Sequence, residues 1–139
     1  MKTSSCKAKG RRFQQWVANY VGEILNIKVG KDELIESREM GQSGTDVKLI
    51  GIAKELYPFS IETKNQEKWS IVAYVKQAKK NINKGTIWQL FVKKNRFDPI
   101  VIMDAKNWFD FYKNYLLYKQ FYDDKSKCFK DLGDSQYGN

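Results

Sequence analysis

Apolar residues recur at spacings of three and four from Phe13 to Leu25, through Trp16, Val17, Tyr20, Val21 and Ile24. That period predicts an amphipathic helix over residues 9–26. Short β-like runs follow: Leu34 to Arg38, Thr45 to Gly51 after a Gly-Gln-Ser-Gly turn, and Phe59 to Lys64 after Pro58. Residues 52–57 read as a connection. A helical period returns over 67–83 (Trp69, Val72, Ala73 and Lys76 on one row; Ile71, Val75, Ala78 and Ile82 on another) and stops at Lys84-Gly85. Residues 86–92 form a near-continuous apolar run, as expected of a strand covered on both faces. Lys93 to Arg96 read as a basic turn, residues 99–103 as a further strand, and Asp104 as the N-cap of a last helix over about 105–120. The order predicts an α/β fold with a mixed central sheet flanked by helices. One domain over residues 1–122 and a weakly ordered tail over 123–139 complete the expectation.

Within this pattern, Asp46 opens the second run, and the third closes on Glu62-Thr63-Lys64. Alternation along a strand points Glu62 and Lys64 to one side, and Ile61 and Thr63 to the other. If the two runs are neighbours, two carboxylates and an ammonium converge. Two hard oxygen ligands can hold a magnesium-type ion, and a lysine beside them can position water or neutralise developing charge. The competing reading is a solvated strand face, with charges paired across strands, for example to Lys48.

Composition narrows the chemistry. There is no histidine, which removes Ser-His-Asp, Cys-His and HNH-like mechanisms together. Cys6 and Cys128 stand alone, too few for a structural zinc site. Lysine and arginine number 25 against 16 acidic residues, a net charge of +9 that favours a polyanion partner. No apolar stretch is long enough to span a membrane, and no apolar core follows the basic N-terminus, so the expectation is an intracellular protein.

Taken with their order, these elements resemble the PD-(D/E)XK nuclease superfamily, and within it the archaeal and phage Holliday junction resolvase-like branch. Four local matches carry the resemblance: Lys9-Gly10-Arg11-Arg12-Phe13 at the start of the first helix, Ser43-Gly44-Thr45-Asp46-Val47, Ile61-Glu62-Thr63-Lys64, and Gln77 in the following helix. They cover residues 9–103. The resemblance implies a restriction-endonuclease-like αβββαβ core, here with an extra C-terminal strand and helix. It also implies that Asp46 and Glu62 ligate Mg²⁺ or Mn²⁺, with the Thr63 carbonyl as a further ligand. Lys64 would serve the hydrolytic water and the phosphate, and Gln77 would contact the lysine or the water, unless it is simply solvated. The branch usually has a glutamate where this chain has Gln14. A neutral amide can bind a metal-bound water but adds no charge for a second cation.

The implied activity is metal-dependent endonucleolytic hydrolysis of DNA, foremost of four-way or branched DNA, by a homodimer without a small-molecule cofactor. A general nuclease of the same fold, or an inactive nucleic-acid-binding module, are the alternatives. Lys9, Arg11, Arg12, Arg38, Lys76, Lys79, Lys80, Lys93, Lys94 and Arg96 are candidate phosphate contacts or a solvated basic face. Ser43 either touches the phosphate or shapes its turn, with the turn preferred. Trp69 is read as packing ahead of base stacking. The aromatic last helix (Trp108 to Tyr118) is a candidate dimer surface.

Overall fold

The apolar stripe of the first helix meets its partner in the sheet. In the computed structural model, which describes residues 3–136 and the side chains of residues 4–127, α1 spans Thr3–Leu25. It buries Phe13, Val17, Ala18 and Val21. The helix begins six residues before the predicted start at residue 9, because Ser4 to Ala8 are exposed and carry no stripe to read. It ends in a Schellman turn: Asn26 is left-handed (φ 55°), and Ile27 N–H donates to Gly22 O at 2.9 Å. The returning chain crosses so close to Gly22 that a Cβ there would lie 2.4 Å from Val29 Cγ2 and 2.8 Å from Ile27 O.

Five strands form one sheet in the order β1 (Ile35–Ser37), β2 (Val47–Leu49), β3 (Phe59–Asn65), β4 (Ile87–Lys94), β5 (Phe97–Ile102). β1, β2 and β3 are antiparallel neighbours, with Ile35 opposite Leu49 and Val47 opposite Ile61. β4 runs parallel to β3, with Glu62 opposite Leu90, and β5 returns antiparallel. A parallel neighbour requires a crossover. That crossover contains α3 (Ile71–Lys80), shorter at both ends than the predicted 67–83. The connection before β3 is itself a short helix, α2 (Ile52–Leu56). Five residues with Ile52 and Leu56 exposed are too few to show a period.

β3 and β4 divide two cores between the sheet's faces. Phe59 and Ile61 join the α1 residues, with Ile87 and Phe91 packed alongside. Trp88, Leu90 and Val92 pack with Tyr74 and Ala78 of α3. Residues such as Ile35, Ile61 and Leu90 are wholly buried, each stabilising the fold by roughly 1.5–3 kcal/mol. The sheet is therefore covered on both faces, and its central strand carries the Glu62 triplet.

A second compact unit begins at Asp104, after Met103. It is one helix, α4 (Ala105–Gln136), which carries on through the segment whose composition reads as tail; residues 137–139 lie outside the described residues. Asp104 Oδ1 accepts from Lys106 N–H at 3.0 Å and caps it as expected. Trp108 stacks on Tyr112 (centroids 5.6 Å apart), and the large apolar residues from Trp108 to Tyr122 are exposed. Among the described residues, no helix is long and apolar enough to cross a membrane.

Candidate active site at the end of β3

The pairing of Val47 with Ile61 places Asp46, just before β2, beside Glu62 and Thr63. Asp46 is fastened from both sides. Its N–H donates to Ile61 O at 2.9 Å, and its carbonyl accepts from Arg38 N–H at 2.8 Å. Its Oδ2 accepts the Thr63 backbone N–H at 2.7 Å and the Thr63 hydroxyl at 3.2 Å.

Glu62 is 1% exposed, on the α3 side of the sheet. Its Oε1 accepts from Asn81 Nδ2 at 2.8 Å, and its carboxyl is in hydrogen-bond contact with that of Asp46. Burial, and next the Asp46 charge, push Glu62 up to about 7, against the pull of the Asn81 amide and the Lys64 charge. Lys64 extends from the same face, with Nζ 5.4 Å from the centre of the Tyr74 ring. The structure thus brings Asp46, Glu62 and Lys64 together. Two neighbouring carboxyls, one of them buried and raised to about 7, are suited to a divalent cation, whose charge would offset their repulsion. No cluster of three or more His, Cys, Asp or Glu side chains is found among the described residues. Such an ion would therefore take its remaining ligands from backbone, water or substrate oxygens. Asp46, Thr63 and Lys64 line a cavity of about 500 Å³ that opens toward Lys9, Gln14 and Asn65.

Gln14 lines this cavity and has a structural task as well. It is 3% exposed, and Nε2 donates to the carbonyls of Arg38 and Asp46, the second at 2.6 Å. The amide thereby ties α1 to the chain on either side of the 39–45 turn. No carboxylate could make those two bonds, because an ionised acid has no donor. Gln77 is displaced: its side chain is exposed on α3, and the helix amide that reaches Glu62 belongs to Asn81. Asn81 lies on the stripe of Tyr74 and Ala78, three residues past the latter, and extending that stripe through the helix end would have found it.

The basic residues sort into several places. Arg38 is half-buried and braces the turn, donating from Nε to Thr45 O at 2.6 Å. Thr45 is buried and donates to Val47 O at 3.2 Å, while Ser43 is exposed. Lys9 pairs with Glu67 at 2.8 Å, and Glu67 also accepts from Asn95 N–H at 3.0 Å. Glu67, which the sequence did not single out, thus links α1 to the β4–β5 turn, and Lys9 lowers its pKa. Lys76, Lys79 and Lys80 are exposed along α3, with Lys79 Nζ 6.0 Å from the Trp88 ring centre. Lys94 lies over Trp69 and Phe97, 5.3 and 5.2 Å from their ring centres. Arg96 occupies the left-handed turn position (φ 54°). Trp69 packs edge-on to Phe97 and donates to Lys93 O at 3.3 Å, a packing role. Arg11 and Arg12 diverge on α1, Arg11 toward Arg38 and Arg12 toward Lys93.

Compared with protein-family models, curated proteins and solved structures, the chain matches none.

Proposed function

We propose that this chain is a metal-dependent endonuclease of the PD-(D/E)XK type that hydrolyses DNA phosphodiesters, with four-way or branched DNA as its preferred substrate. The observation that carries the reading is the half-buried Asp46 set by strand register beside the buried Glu62, with Lys64 two residues along the same strand face. The order of a helix, an antiparallel run of three strands, a crossover helix and a parallel strand supports a restriction-endonuclease-like core.

In this reading, Asp46 and Glu62 hold Mg²⁺ or Mn²⁺, joined by the Thr63 carbonyl. When bound, such an ion supplies Lewis-acid chemistry at the phosphate and lowers the pKa of water. Lys64 orients the attacking water and offsets charge as it grows on the phosphate oxygens. Asn81 holds Glu62 from α3, and Gln14 holds the backbone that presents Asp46. Lys9, Arg12, Lys93 and the exposed lysines of α3 contribute sequence-independent attraction to the DNA backbone. Symmetrical cutting of a junction needs two sites, and the exposed aromatic face of α4 is the surface proposed for a homodimer.

A nucleic-acid-binding module without turnover is the second reading. It is favoured by Gln14, whose amide is committed to backbone carbonyls and brings no charge for a second cation. The test is Mn²⁺-dependent cleavage of a synthetic four-way junction beside linear duplex of the same sequence. Cleavage of the junction, lost in Lys64→Ala and Glu62→Gln with DNA binding retained, is the expected result. Cleavage of linear DNA alone makes the protein a general nuclease. Binding without cleavage of either makes it the inactive module.

A further inference from the structure

Next to the cavity that holds Asp46 and Lys64 is a second groove, of about 400 Å³, lined by Lys9, Arg12, Trp16, Asn65, Lys93 and Pro99 among others. Lys9 and Asn65 line both, so the two adjoin at α1 and the end of β3. The lining of the second groove includes three cations and no acidic residue. Trp16 belongs to the apolar period of α1, yet it is 42% exposed. Its ring is flanked along the helix by Phe13 (stacked, centroids 5.9 Å) and Tyr20 (tilted, 4.6 Å), which limit its movement. An indole fixed by neighbours and left open on a basic groove suits a stacking platform, because every base has a π-face and every linkage a negative charge. Base faces in a duplex are stacked on one another. An aromatic platform meets them only where the strand is unpaired.

The geometry points to a binding groove for an unpaired DNA strand, running from the Lys64 end past Lys9 and Asn65 to Trp16, Arg12 and Lys93. Trp16 stacks a base, and Arg12 and Lys93 hold the flanking phosphates. Lys9, already paired with Glu67, lines both cavities. The substrate that fills both cavities has an unpaired segment beside the scissile phosphate, as an opened junction arm, a gap or a flap does. This inference rests on the nuclease reading for its relation to cleavage, but the groove itself is tested without it.

The experiment measures binding of the full-length protein to a labelled oligothymidylate and to a blunt hairpin duplex, in EDTA, by fluorescence anisotropy. Trp16→Ala is expected to lower the single-strand-to-duplex affinity ratio roughly tenfold. Trp16→Phe, which keeps an aromatic face, is expected to recover most of it. Replacing Arg12 and Lys93 together with alanine should reduce the salt slope of single-strand binding by about 1.4. Thermal melting checks that each variant is folded. An unchanged ratio in Trp16→Ala, an equal loss for both DNAs, or tighter binding to oligouridylate than to oligothymidylate each overturns the proposal. If Trp16→Ala behaves as expected while the wild type cuts no DNA, the groove stands and the nuclease reading fails. If cleavage is intact and the ratio does not move, only the groove fails.

Discussion

Asn81 Nδ2 donates to Glu62 Oε1 at 2.8 Å, joining the last turn of α3 to the buried acid of β3. The bond favours the ionised carboxyl, so its loss should raise the Glu62 pKa further from about 7. Asn81→Ala is expected to weaken Mn²⁺ affinity roughly tenfold, as loss of a partner behind a ligand does, and to shift the acid limb of the cleavage profile upward. Calorimetric Mn²⁺ titration and a pH–rate profile would show both.

The Glu62 carboxyl also links stability to pH. Its folded-state pKa, about 7, lies above the ordinary 4.5, so the fold favours its protonated form. The contribution is fully present below 4.5 and is lost as pH rises through about 7. In EDTA, wild type should lose on the order of 2–3 kcal/mol more than Glu62→Gln between pH 5 and pH 8, at roughly 1.4 kcal/mol per pKa unit. Adding Mn²⁺ at pH 8 should recover part of that loss. Urea melts of the two proteins at both pH values provide the comparison.

Gln14→Glu restores the acid usual in the resembled branch, and the geometry argues against a gain. The carboxylate would face the carbonyl oxygens of Arg38 and Asp46 with nothing to donate. Destabilisation on the order of 2–3 kcal/mol is expected, from two lost bonds and a buried charge. The metal-binding stoichiometry should not rise. A second bound ion in native mass spectrometry would overturn this account of the residue.

Gly22→Ala tests the close crossing at the end of α1. The new methyl would meet the Ile27 carbonyl, which is backbone and yields little. The cost should be about 1–3 kcal/mol despite alanine's better helix propensity, and the denaturant midpoint measures it.

The strands and the acid pair were legible because alternation and period are properties of neighbouring residues. Val47, Ile61 and Glu62 carry their facing in the sequence. What escaped depended on distant partners or on too few residues. α2 is shorter than two turns. Residues Thr3 to Ala8 are helical without an apolar stripe. Gln14 was identified as a site residue, but its side chain points its donors at a turn 24 and 32 residues away, which no local pattern encodes. Glu67 was missed for the same reason, its partner Lys9 being 58 residues away, whereas Asn81 lay on a legible helix stripe just past the helix end.

Where β2 begins, the Thr63 amide proton meets a carboxylate instead of a neighbouring strand's carbonyl. Asp46 therefore serves as a rung of the ladder as well as a candidate ligand. A cation on Oδ1 would share this acid with the amide on Oδ2 and draw charge away from that bond, so ion loading and local fraying between β2 and β3 are thermodynamically linked. The exchange rate of the Thr63 amide is consequently a built-in gauge of what Asp46 is holding. An asparagine there would keep the rung while discarding the charge, whereas an alanine would remove both.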